Sequence, residues 1–229
     1  MPVSFSIMPP LHFVLASQSP RRRQLLGTLP YPHSILVPEV DEDLHLDQDP
    51  AIYVQRTARQ KAEVAAGQIP TPSTERLLIV AADTTVALAG EIMGKPGSGS
   101  EAREMLIRLR GRTHQVHTGL CLIDRATGRE IISVHSAEVT MRDYTMEEIS
   151  RYVATGDPMD KAGAYAIQHP EFRPVARLDG CYLAVMGFSL CDLINRLAEI
   201  EIEIAFDRAA LVKAHQGYAC PVLEHLGRP

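Results

Sequence analysis

Apolar residues along this chain change their period several times, and the changes mark out an alternating series of strands and helices. Residues 12–16 are a short apolar run, and Leu77-Leu78-Ile79-Val80-Ala81-Ala82 is continuously apolar, the pattern of a strand buried on both faces. A helix is predicted over 20–28, with Leu25, Leu26 and Leu29 on its apolar side, followed by an extended segment over 34–37. A second helix is predicted over 50–66, where Ile52, Ala58, Ala62 and Ala65 recur at helical spacing. The stretch 67–75 contains two prolines and reads as a loop, as does the Gly/Pro/Ser segment 94–100. Further elements are a helix over 101–110, strands over 116–123 and 130–141 around a turn, and a helix over 146–155. A strand near 181–185 and a helix over 189–199 complete the series. The pattern predicts an α/β fold in which a mixed, twisted sheet is flanked by helices.

With 229 residues, 45% of them hydrophobic, the chain can bury a sizeable core as one domain, or one domain with a lobe. The division expected is an N-terminal extension over 1–10, a main domain over 11–205, and a tail over 206–229 holding one appended helix and a frayed end. A net charge of −5 argues against a broad nucleic-acid surface. No run is long enough for a membrane span, and the first residues lack the pattern of a secretion signal. Cys121, Cys181, Cys191 and Cys220 are scattered, without zinc spacing or a dense disulfide pattern, which favours a reducing cytoplasm. Basic residues are strongly biased: only Lys61, Lys95, Lys161 and Lys213 are lysines, among 23 lysines and arginines. Lysine is a compact point charge suited to phosphate, and three of the four fall in the motifs below.

The first motif is Leu15-Ala16-Ser17-Gln18-Ser19-Pro20-Arg21-Arg22-Arg23. Ser19 is placed to cap a helix and Pro20 suits its first turn, so free N–H groups, a positive dipole end and guanidinium groups converge. Such a site suits phosphate; the alternative is a capped surface helix that is merely basic. Asp83, followed by Thr84 and Thr85, sits just past the buried strand, where α/β folds place ligand chemistry. It can bind a divalent metal, orient a water, or simply cap a turn. Gly94-Lys95-Pro96-Gly97 presents Lys95 from a stiff loop. Finally, residues 155–168 combine turn residues, the charged pair Asp160–Lys161, small side chains, and Gln168, which offers both a donor and an acceptor to a base edge. His114 and His117 are spaced H-x-x-H, but on a strand they face opposite ways and share no metal. Tyr165 can stack on a base or serve packing.

These segments together, Leu15 to Arg22, Ala82-Asp83-Thr84, Gly94-Lys95-Pro96 and Asp160 to Gln168, resemble the signatures of the Maf family, nucleoside triphosphate pyrophosphatases first named as septum-formation proteins. The resemblance runs in order over about 14–200. It implies two lobes around a deep cleft, similar to the inosine triphosphatase architecture, and hydrolysis between the α- and β-phosphates with a divalent metal, Mg²⁺ or Mn²⁺. It implies Asp83 as proton acceptor, with Lys61 and Lys95 as further catalytic residues, and Ser17, Arg21, Arg22 and Lys161 as substrate contacts. Asp41 and Glu42 fall where the family carries an acidic pair, so Glu42 and Asp83 are the implied metal ligands. Arg21, Thr84 and Gln168 resemble the subgroup acting on dTTP and UTP. The chain departs from the family pattern at His169, after the glutamine, and over Ala184 to Ser189. A cytoplasmic enzyme acting as a homodimer is one expectation; a nucleotide-binding regulator of cell division with little hydrolysis, or a pyrophosphatase for a modified nucleotide, are the others.

Overall fold

The computed structural model describes residues 10–40, 49–70 and 73–226. Asp41 and Glu42 therefore lie outside the described residues. The chain builds a seven-stranded mixed sheet in the order β2-β1-β3-β5-β6-β7, with β4 paired to β3. The strands are β1 (Leu11–Ala16), β2 (His33–Leu36), β3 (Arg76–Leu88), β4 (Glu91–Met93), β5 (Thr113–Asp124), β6 (Arg129–Met141) and β7 (Val175–Asp179). β1 runs parallel to β2 and to β3, and the remaining pairs are antiparallel.

Helix α1 (Pro20–Leu26) leaves β1 and packs Leu25 and Leu26 into the large core on one sheet face. Helix α2 (Pro50–Gln68) starts where Asp49 Oδ1 accepts from the backbone N–H groups of Ala51 (2.9 Å) and Ile52 (3.1 Å). It lies on the opposite face, where Ala58, Ala62 and Ala65 pack on Val14, Ala16, Ile79, Ala81 and Cys121. Alanines alone do not bring a helix this close. Gly119 of β5 does: a Cβ there would stand 2.3 Å from the carbonyl oxygen of Val54 in α2. Helices α3 (Gly99–Leu109), α4 (Met146–Ala154), α5 (Tyr182–Val185) and α6 (Leu190–Glu199) contribute to the larger core, together with α7 (Arg208–Ala214) and α8 (Pro221–His225).

Three regions differ from the prediction. The buried strand continues past Ala82 to Leu88, because β5 pairs with it throughout and Thr84, Thr85 and Val86 suit a strand; Asp83 is thus within β3, opposite Gly119, and not beyond its end. β4 was not predicted: it returns through Ala89 and Gly90, both at positive φ, and Ala-Gly is a weaker hairpin signal than Asn-Gly. The apolar run 181–185 is a helix, and the strand lies before it at Val175–Asp179. A short apolar run does not by itself distinguish the two. Gly180 decides it, with φ +136° and no room for a Cβ, which would meet Ala137 Cβ at 2.6 Å. Beyond Phe206 the chain forms two short helices, capped by Asp207 and Cys220, whose Leu211 and Leu223 are buried in the main core.

His114 and His117 face opposite sides of β5: His114 Nε2 lies 2.8 Å from Tyr165 Oη, and His117 Nδ1 lies 2.7 Å from Ser136 Oγ. Burial pushes the His114 imidazole down from 6.5 to about 4.

Two outcomes are expected. Gly119→Ala should lower the urea midpoint with little change in slope, a loss of about 1–3 kcal/mol, because Val54 and Gln55 backbone must move. Gly67→Ala, with nothing near its Cβ, should not. The His114 pKa is lower folded than unfolded, so the unfolded chain binds the extra proton; stability is full above pH 6.5 and is lost as pH falls toward 4. His114→Gln should flatten that slope by about 3 kcal/mol across the window, and an unchanged slope would contradict it.

Candidate active site

The site begins where two parallel neighbours part. β1 pairs with β3 only as far as Leu15 and Val80. After Ala16 the chain turns away into α1 on one face, while α2, which follows β2, crosses the other. The border of β1 and β3 is therefore a topological switch point, the place where α/β sheets open a crevice beyond the strand ends. β3 runs on past that point without β1, paired to β5, and carries Asp83 and Thr84 along the wall of a cleft of about 1010 Å³.

At its base Lys61 Nζ donates to Asp83 Oδ1 at 2.7 Å. The two residues are 8% and 7% exposed, so this is a charged pair held between helix and sheet. Lys61 stands one turn from Thr57 and Ala58, on the face of α2 that Gly119 admits to the sheet.

Thr84 points to the other face and belongs to a hydrogen-bonded chain. Thr118 Oγ1 donates to the Ala184 carbonyl at 2.8 Å, so Thr84 Oγ1, 2.9 Å away, must donate to Thr118 and is left to accept. It accepts from Arg22 Nη2 at 3.4 Å. Arg22 Nε donates to the Gly187 carbonyl at 2.8 Å and Nη1 to Ser17 Oγ at 3.4 Å. Ser17 Oγ also accepts from Ser19 N at 3.1 Å, which sets the turn into α1. The guanidinium is thus aimed by β3, the α5–α6 connection and its own loop. Gly187, at φ +107°, is a position that favours glycine.

The opposite rim is the turn Asp157–Asp160 and the loop after β4. Lys161 is buried, and its ammonium donates to Asp157 Oδ1 at 2.9 Å, to the Asp157 carbonyl and to Asp160 Oδ1 at 2.6 Å. All three donors are used within the turn, which makes Lys161 a bracket for the rim. Asp160 also accepts from Arg21 Nη2 at 3.1 Å. Gly163 N donates to the Gly94 carbonyl at 3.1 Å, tying this turn to the loop that exposes Lys95. Lys95 forms no ion pair or hydrogen bond among the described residues. Five cationic side chains and three carboxylates line the described cleft, a positive surface on a chain of net charge −5.

Of the residues singled out in the sequence, Ser17, Arg21, Arg22, Lys61, Asp83, Thr84, Lys95 and Lys161 all line this cleft. Gln168 does not; its Oε1 is buried and has no hydrogen-bond partner among the described residues. Glu42 lies outside the described residues. His169 is engaged elsewhere, accepting from Phe172 N at 3.0 Å and meeting Tyr152 edge to face. Asp160, part of the charged pair read in the sequence, takes its place on the rim beside Arg21 and Lys161. Thr118 and the Gly187 carbonyl complete the site without having been predicted, since only strand register and a returning loop bring them in.

A mixed α/β sheet with a cation-lined cleft at its switch point and a carboxylate–ammonium pair at the base defines a protein built to receive a polyanion. The chain belongs to the Maf family: the family model described as "Maf-like protein" matches residues 12–200. It is 42% identical to a dTTP/UTP pyrophosphatase of Alkalilimnicola ehrlichii over 193 residues, 84% of this chain and 94% of that protein. It is 43% identical to a dTTP/UTP pyrophosphatase of Anaeromyxobacter sp. over 188 residues, 80% and 87% of the two chains. A third, from Desulforamulus reducens, is 38% identical over 191 residues, 83% and 97%.

Removing Lys61 leaves the buried Asp83 carboxylate without the ammonium that holds it. Lys61→Met should cost about 3–5 kcal/mol of stability, measured by urea unfolding, and adding Asp83→Asn should restore part of it. Independent, additive losses in the double variant would contradict the pairing.

Proposed function

We propose that this protein hydrolyses dTTP and UTP to the monophosphate and diphosphate, with water attacking the α-phosphorus. The observation that carries the reading is the Lys61–Asp83 pair at the base of a cleft whose rim is cationic. The names of the relatives support both the reaction and the base.

Phosphoryl transfer asks the protein mainly for positioning and charge compensation. Arg21, Arg22 and Lys95 hold the β- and γ-phosphates, which leave together. Arg22 acts from a fixed position, since its Nε is spent on Gly187 and its Nη2 on Thr84. Lys61 holds Asp83 by Oδ1, and Oδ2, with no partner among the described residues, takes the proton of the attacking water.

A divalent cation fits this site. Carboxylate oxygens from Asp83 and Glu39 line the cleft, hard donors of the kind Mg²⁺ and Mn²⁺ prefer, and Glu42 is the further ligand the family resemblance implies. When bound, such an ion neutralises phosphate charge and acidifies water. Asp83 and Glu42 would hold it.

For the base, the family resemblance points to Arg21, Thr84 and Gln168; Arg21 and Thr84 line the cleft, whereas Gln168 stands outside its lining. No helix among the described residues is long and apolar enough to cross a membrane. The four cysteines form no disulfide, which supports a reducing cytoplasm as the working compartment.

The test is diphosphate release from dTTP, UTP, CTP, ATP, GTP and 7-methyl-GTP with Mg²⁺ or Mn²⁺. Release should be greatest from dTTP and UTP and should stop with EDTA. Asp83→Asn should lower turnover roughly 10²-fold or more. Turnover near wild type would sink the assignment of Asp83, and nucleotide binding without any release would mark a regulator.

A further inference from the structure

We infer that Cys181, Cys191, His215 and Cys220 form a structural zinc site that fastens the C-terminal helices to the wall of the cleft. In the sequence these residues are far apart and carry no zinc-motif spacing. The fold brings them together: Cys181 immediately precedes α5, Cys191 lies in the first turn of α6, His215 follows α7, and Cys220 immediately precedes α8. All four are buried, and their ligand atoms lie within 4.8 Å of one another.

The distances suit a tetrahedron. Zn–S and Zn–N bonds of about 2.3 and 2.0 Å give S···N and S···S edges of about 3.6 and 3.8 Å. His215 Nε2 lies 3.5 Å from Cys181 Sγ and 3.7 Å from Cys191 Sγ. The widest pair closes with a shift of about 1 Å, within the reach of a small side-chain rotation.

The surroundings point the same way. His215 Nδ1 lies 2.7 Å from the Leu211 carbonyl, which accepts only, so Nδ1 carries the proton and the lone pair of Nε2 is turned toward the three sulfurs. That is the second-shell arrangement that orients a metal-bound histidine. Leu223 N donates to Cys220 Sγ at 3.4 Å, a bond that favours a thiolate acceptor. Three sulfurs and one imidazole nitrogen are the donor set of a closed zinc site. Binding releases the three thiol protons to solvent and changes no oxidation state.

The location gives the site its consequence. Two ligands come from the segment beyond Phe206, and the other two flank α5 and the connection whose Val185, Met186 and Gly187 line the cleft. Cys121 sits apart, in the cluster between α2 and the sheet, and is a built-in control.

The experiment uses the full chain, purified without metal-affinity resin from cells grown with zinc. Mass spectrometry should find about one zinc per chain, retained through dialysis against EDTA and released when a mercurial blocks the thiols. Replacement by cobalt should give the intense visible bands and sulfur-to-cobalt charge transfer of a tetrahedral thiolate site. Cys220→Ser and His215→Gln should each cut bound zinc about tenfold or more, while Cys121→Ser should keep it. If a variant fails to fold, the wild-type zinc content and cobalt spectrum still decide. Wild-type protein that neither carries zinc nor gives the cobalt spectrum overturns the inference, as does a thiol count showing a disulfide within the cluster. Zinc retained equally by all three variants also overturns it.

Discussion

Burying an ammonium and a carboxylate together is costly unless their geometry is fixed by something stronger than their own attraction, and the Lys61–Asp83 pair is fixed from both sides. Asp83 belongs to a strand whose backbone is locked by β5 on one edge. Lys61 belongs to a helix that can approach only because Gly119, the residue opposite Asp83 in the register, has no side chain. The alanines of α2 then fill the remaining space. A glycine, three alanines and an ion pair are therefore one feature, and the base of the cleft exists because of it.

The rest of the cleft extends outward from that base. β1 leaves β3 just before Asp83, so the Ser17–Arg22 loop opens onto the same level as the carboxylate. The chain from Arg22 through Thr84 and Thr118 to the Ala184 carbonyl ties that loop to β3, β5 and α5. Asp160 joins Arg21 and Lys161 across the opposite rim. Arg22 holds several contacts in the plane of its guanidinium, while Lys61 and Lys161 bring compact charges to carboxylates. The site is preorganised for a triphosphate in the sense that most of its cations are already held by neutral or acidic groups that substrate phosphates can join.

Much of this was legible in the sequence. The strand of β1, the cap at Ser19, the helix of α2 and the apolar half of β3 follow from periodicity and capping chemistry, and eight of the residues picked out on charge, spacing and the family resemblance line one cleft. What escaped depends on pairing across long separations. Asp83 looked terminal because apolar character stops at Ala82, whereas the strand is sustained by Thr84, Thr85 and the β5 ladder. The run 181–185 is apolar enough for either strand or helix, and only the conformation of Gly180 against Ala137 separates them. Thr118 and the Gly187 carbonyl join the site through register, and Cys181, Cys191, His215 and Cys220 meet only in three dimensions.

The central claim is that the carboxylate at the base of the cleft directs water to the α-phosphorus while the cationic rim holds the departing β- and γ-phosphates. Hydrolysis of dTTP in isotopically labelled water, with mass analysis of both products, tests it most directly. The heavy oxygen should appear in dTMP, and the diphosphate should be unlabelled. Label in the diphosphate, or release of orthophosphate in its place, would mean that the rim and the base have been assigned to the wrong phosphates.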